Sequence, residues 1–245
     1  MHEIYRIAFS GRVDDAANRG RRPERWTGYG SGGGGVVHLA GVLLLSAATD
    51  ALLRQLTARP DVLPLALHVD YWDYIGWKDQ FADPAHTRRQ KGYAHVGGRQ
   101  MVYTPQMIVN GQDDVVGANA MKLSETIAAH QARPTPVAIT IDGTQSGTGG
   151  IAIQLRRADA APLLSGPISI QLVRYAPLKT VDISRGELAG RRLDYANVVE
   201  QIDRVADWDG QGTLELTVAL TDTRPAALLV QQAPYGAILA AATLN

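Results

Sequence analysis

Cysteine is absent from this 245-residue chain. No disulfide, thiol nucleophile or thiolate metal site can form from it. An excess of charge of either sign is missing too: 24 basic residues balance 24 acidic ones, which removes the electrostatic case for nucleic acid or an anionic membrane as partner. Every apolar run falls short of a membrane span, so none is expected. No serine lies in G-x-S-x-G. His2, His38, His86, His95 and His130 are scattered without a recognised ligand spacing, so neither a metal nor a cofactor is expected. What the chain does have is 45% hydrophobic content, enough for one large core or two modest ones.

The most informative stretch runs from Met101 to Gly117. Met107, Ile108 and Val109 lie between a Thr-Pro step and Asn110-Gly111, and Val115-Val116 resumes the apolar pattern. Asn-Gly tolerates positive φ at both positions, so the spacing predicts a hairpin, with Gln112, Asp113 and Asp114 widening a solvated loop. Pro105 lacks an amide proton and belongs at the first residue of a strand.

Residues 1–35 show no helical or strand period and are rich in Arg and Gly, so they read as disordered. A phosphate loop over Gly28–Gly35 would need a preceding strand and a following Lys-Ser/Thr, and has neither. A strand is expected at Val36-Val37. A helix follows over about 49–59, with Leu52, Leu53 and Leu56 at helical spacing, then a buried strand from Val62 to Val69. That order is a βαβ unit. The loop after it, Asp70 to Asp83, is dense in aromatic and carboxylate side chains, at the strand end where open α/β sheets bind ligands. Helices are expected over about 84–95, with Pro at its start and Gly97-Gly98 beyond its end, and over about 119–132. Arg133-Pro134-Thr135-Pro136 marks a domain boundary. Beyond it the period falls to two, with strands at 137–141, 151–155, 168–173, 213–220 and 227–231, the pattern of a β-sandwich.

Thr104-Pro105, the hairpin and the helix after it resemble the C-terminal half of the thioredoxin fold. That resemblance implies a cis bond at Pro105 and a Thr104 backbone that meets a peptide or disulfide. Asp70-Tyr71-Trp72-Asp73-Tyr74, the hairpin, Ile183 to Glu187, Ala189 to Arg191 and Tyr195 to Val199 together resemble a bacterial family, domain of unknown function 1223, over roughly residues 48–245. Its members look like exported thioredoxin-fold proteins with an attached β domain, so the resemblance implies a periplasmic or secreted thiol–disulfide oxidoreductase. The expected fold class is therefore α/β: a thioredoxin-like domain over 36–133 followed by a β-sandwich-like all-β domain over 137–245.

The family's Cys-x-x-Cys segment would fall near Val42 and Leu45, and alkyl side chains cannot attack sulfur. Each residue from His38 to Ala47 permits a codon choice for which reading one nucleotide later gives Thr-Ser-Gln-Gly-Cys-Ser-Ser-Cys-Pro-Pro. Residues before about Ala48 then read as out of frame, with loss of the cysteines by ordinary substitution as the alternative. On either account the chain is redox-inactive. The alternative function is a non-catalytic module that holds an extended peptide or a thiol protein with Tyr103, Thr104, Pro105, Asp70, Trp72 and Asp73. Asp70 and Asp73 near His68 also suit a metal or acid–base cluster. Strand alternation aligns residues only in pairs, however, which favours a capping role for Asp70 and packing roles for Trp72 and Trp77.

Overall fold

The computed structural model describes residues 3–9, 35–36, 39–42, 47–75, 78–146, 150–182, 190 and 192–244. Gly28 to Gly34, Leu45, Trp77 and the Ile183 to Ala189 motif lie outside the described residues. In chain order the strands are β1 (Glu3–Phe9), β2 (Gly35–Val36), β3 (Leu39–Val42), β4 (Val62–His68), β5 (Gln106–Val109) and β6 (Asp113–Val116). There follow β7 (Val137–Ser146), β8 (Gly150–Arg157), β9 (Ile168–Asp182), β10 (Arg192–Trp208), β11 (Thr213–Ala219), β12 (Ala226–Gln232) and β13 (Ile238–Thr243). The helices are α1 (Ala47–Thr57), α2 (Pro84–Val96) and α3 (Ala120–Gln131).

Local signals produce local elements as expected. Asp83 caps α2 by accepting from the Ala85 amide, with Pro84 in the first turn and Gly97 at the far end. Asn119 caps α3 by accepting from the Lys122 amide at 2.9 Å. Asn110 (φ 50°) and Gly111 (φ 71°) make the turn between β5 and β6. The turn is tighter than expected: β6 begins at Asp113, so Asp113 and Asp114 stand opposite Val109 and Ile108 inside the ladder. Residues 3–9, within the segment expected to be disordered, instead form strand β1, which pairs with β3, β4 and β5.

The expected α/β fold class, a thioredoxin-like domain followed by a separate β-sandwich, is not what the chain adopts. The protein is mostly β, with three α-helices among the described residues. Its main sheet has nine strands in the order β13-β12-β9-β10-β4-β3-β1-β5-β6, and a second has four in the order β11-β8-β7-β2. The β3–α1–β4 unit exists, with β3 parallel to β4. Beyond it, β4 pairs through Ala66 with Val198 of β10, so the main sheet draws strands from both halves of the chain. The misreading has a physical cause. Turn and helix signals act over a few residues, whereas the pairing that decides fold class joins edges more than a hundred residues apart and leaves no local mark.

Two cores follow from this. One packs Leu53, Leu65, Leu67, Met107, Leu123 and Tyr195 between the helices and the main sheet, and the other packs the two sheets through residues such as Ile139, Leu155, Ile170 and Val230. Strand β12 serves both, because alternate residues face opposite sides: Leu228 and Val230 enter the second core while Leu229 enters the first.

Candidate functional site

The apolar run of β4 ends at His68, and the next residues bend into a short 3-10 turn, Asp73–Ile75, in which the Asp73 amide donates to the Asp70 carbonyl at 3.1 Å. Thr87 of α2 fixes the start of this loop: its hydroxyl accepts from the Asp70 amide at 3.2 Å and donates to the Asp70 carboxylate. Asp73 accepts from the Asp79 amide at 3.1 Å and closes the loop. Both carboxylates are thereby tied to their own loop. Among the described residues no three His, Asp or Glu side chains gather as metal ligands would.

The aromatic side chains point elsewhere. Trp72 Nε1–H donates to Thr104 Oγ1 at 3.1 Å, which brings the loop after β4 onto the Thr-Pro step before β5. Trp72 also stacks on Tyr74 (6.3 Å between centroids, 18° between planes) and lies 5.8 Å from the Tyr71 ring. Tyr74 is 77% exposed, so the stack carries aromatic surface from the Thr104 side chain out to solvent. The Tyr71 hydroxyl is buried and makes no hydrogen bond of good geometry among the described residues. Burial raises its pKa, although Gln90, Thr104 and Trp72 lie near enough to oppose this slightly.

The Thr-Pro step is held from behind. Its peptide bond is cis. Gln90 of α2 donates to the Tyr103 carbonyl and to Gln106 Oε1, each at 2.9 Å, and the Gly117 amide donates to the Pro105 carbonyl at 3.1 Å. The Tyr103 hydroxyl donates to Asp114, whose other oxygen pairs with Arg99. Burial first, then the bond to Asp114, push the Tyr103 phenol up to about 12, so it stays protonated. Among the described residues neither the amide nor the carbonyl of Thr104 makes a backbone hydrogen bond. Val116, 67% exposed, lies opposite Gln106 and extends apolar surface beside Pro105.

His68 does not join Asp70 or Asp73. Its Nδ1 lies 2.6 Å from Asp79 Oδ2, and its ring packs edge-on against Phe81 and Tyr195. Burial lowers the His68 pKa against the pull of Asp79 and keeps the imidazole neutral. Burial is the strongest single influence on Asp79 and would raise its pKa, but the interaction with His68 and the Phe81 amide together outweigh it and hold the carboxyl below its usual value. The pair fastens the loop from inside.

Of the residues singled out from sequence, then, the structure joins Trp72 to Thr104 and Pro105 and sets Tyr103 behind them, while Asp70 and Asp73 serve the loop. Val42 ends β3 opposite Pro64 of β4. Sequence reasoning missed Thr87, Gln90, Asp79 and Asp114. Only the Asp-Asp pair beside Asn-Gly drew notice, and it was read as solvated.

A family model described as "Protein of unknown function (DUF1223)" matches residues 45–231. The crystal structure of a protein from Agrobacterium tumefaciens is similar over 81% of this chain and 86% of that one, with 27% identity and a TM-score of 0.66. No curated protein matches. Among the described residues no helix is long and apolar enough to cross a membrane.

Proposed function

Because the chain belongs to the DUF1223 family, which brings no activity with it, we propose from the geometry that this protein is a non-catalytic module that holds an extended peptide. The bond from Trp72 Nε1–H to Thr104 Oγ1 carries the reading, since it joins an exposed aromatic stack to Thr104, whose amide and carbonyl make no backbone hydrogen bond among the described residues. Extended peptides take affinity from main-chain hydrogen bonds and selectivity from side-chain surfaces, and both lie on one face here. No thiol exchange accompanies this, because the chain has no cysteine. The resemblance to exported proteins supports a partner met outside the cytoplasm.

Panning the full chain against a random peptide library, followed by titration of selected peptides, tests the proposal. Selected peptides should bind with Kd values in the micromolar range and lose roughly tenfold on Tyr74→Ala or Trp72→Phe, the second of which keeps the ring and removes the indole donor. Failure to select any peptide, or selected peptides indifferent to both substitutions, would overturn it.

A further inference from the structure

The two sheets end in β13, β6, β11 and β2, and three of these ends are protected against pairing with a foreign strand. β2 has only two residues. β6 has four, two of them the charged Asp113 and Asp114. β13 is buried from Ile238 to Ala242. Even β10, which pairs with β4 only through Val198, is broken by two register shifts and carries Glu200, Asp203, Arg204 and Asp207.

β11 has none of these guards. Its seven residues, Thr-Leu-Glu-Leu-Thr-Val-Ala, hold one charge and no proline, and they pair with β8 in unbroken register from Thr213↔Arg156 to Ala219↔Gly150. Among the described residues β11 pairs with no other strand. The Ala219 carbonyl accepts from Arg174 at 3.3 Å, but no main-chain group from Thr213 to Val218 is bonded outside the β8 ladder. Alternate residues of such an edge turn their amide and carbonyl away from the ladder. Leu214 and Leu216 pack on the second core yet are only half-buried, as expected where a sheet stops.

Symmetry limits what can cover this edge. A two-fold axis normal to the sheet sets two copies of β11 side by side and antiparallel, with their apolar faces on the same side. Because it opposes residues of like facing, the axis falls on a residue. On Glu215 it would set two carboxylates against each other. On Leu216 it matches the whole strand, with Glu215 opposite Thr217, Leu214 opposite Val218 and Leu216 opposite its own copy, so no like charges meet and the apolar face continues.

We propose that β11 pairs with β11 of a second copy of this chain about that axis, joining the two four-stranded sheets into one. The interface is small, so the dimer is reversible, with a Kd in roughly the micromolar range. It is independent of the Trp72–Thr104 face.

Sedimentation velocity of the full chain from roughly 1 to 500 µM tests this, with amide exchange over 213–219 expected to slow as the dimer forms. Glu215 and Thr217 are both exposed, so their exchange leaves the core alone. Thr217→Glu sets a second carboxylate against Glu215 on both sides of the axis and should weaken the dimer roughly tenfold. Thr217→Lys, at the same position, sets an ammonium there and should tighten it roughly threefold. Adding Glu215→Lys to Thr217→Glu should restore the native affinity or better. A monomer throughout that range would overturn the proposal. So would a dimer that responds alike to Thr217→Glu and Thr217→Lys, or one whose formation leaves exchange over 213–219 unchanged.

Discussion

Gly92 sits midway along α2, where alanine would ordinarily gain about 1 kcal/mol of helix stability. Tyr235 explains the glycine. A Cβ on Gly92 would lie 2.1, 2.5 and 2.6 Å from Cδ2, Cγ and Cε2 of that ring, where carbon atoms rest about 3.5–4.0 Å apart. The ring cannot retreat without loss. It packs edge-on against Tyr93 with centroids 6.0 Å apart, and the Arg89 guanidinium lies 6.0 Å from its centre. Overpacking costs about 1–3 kcal/mol, and disturbing an aromatic pair costs about 0.5–1.5 kcal/mol. Together these costs exceed the propensity gain, so Gly92→Ala should destabilise the protein by about 2 kcal/mol. Urea denaturation followed by circular dichroism measures this. In a Tyr235→Ala background the methyl enters vacated space, and the same change should stabilise by up to about 1 kcal/mol, a coupling of about 3 kcal/mol. A stabilising Gly92→Ala in the native background, or an identical cost with and without the Tyr235 ring, would refute the argument.

Burial depresses the His86 pKa from 6.5 to about 4, so the unfolded chain takes the proton first. Stability should then be full above about pH 6.5 and fall by about 2 kcal/mol from pH 7 to 5, with His68 and His130 acting in the same direction. His86→Asn, which keeps a donor for the His68 carbonyl, should flatten that slope; an unaltered slope would remove His86 from the account. Arg89→Met should cost about 2 kcal/mol, since Gln171 Oε1 and Gln231 Oε1 each lose a 2.7 Å donor, and adding Gln171→Leu should recover only part of it, because one orphaned carbonyl leaves while Gln231 Oε1 also loses its 3.2 Å donor from Gln171. Strictly additive costs in denaturation would count against that. Sequencing the gene across codons 20 to 55 tests the reading-frame account. The shifted frame should encode Cys-Ser-Ser-Cys-Pro-Pro, and its absence from every frame would mean loss by substitution.

Much of the local structure was legible because its causes are local. Asp83-Pro84, Asn119 and Asn110-Gly111 each act within one turn, and each stands where its chemistry requires. Strand β10 was not legible. It spreads Asp194, Glu200, Asp203, Arg204 and Asp207 along a 17-residue strand, so no clean alternation survives. Those charges are tolerated because β9 and β10 form a long antiparallel ribbon, from Arg192↔Asp182 to Trp208↔Ile168, on which many side chains face solvent. Strand β12 was expected at 227–231 and is found there, but its burial on both faces was not legible, because Ala-Ala-Leu-Leu-Val reads as a continuous run.

The candidate site shows the same division. The bond from Trp72 to Thr104 spans 32 residues, and no spacing rule reaches that far; a family resemblance pointed to both partners and physics alone did not. Arg89 is the sharper case. The chain's net charge is zero, yet this guanidinium is buried against two glutamine oxygens and two tyrosine rings, with no acidic side chain bonded to it among the described residues. Burial pulls its pKa down to about 10, still far above neutrality, so it stays charged. The strand period puts Gln171 and Gln231 on the sheet face opposite Ile170 and Val230, and there they meet α2. Amide oxygens can take a guanidinium that no carboxylate reaches, and the match appears only once β9, β12 and α2 are brought together. Whole-chain charge balance therefore bounds the partners of a protein but says nothing about which of its charges the fold leaves to neutral groups.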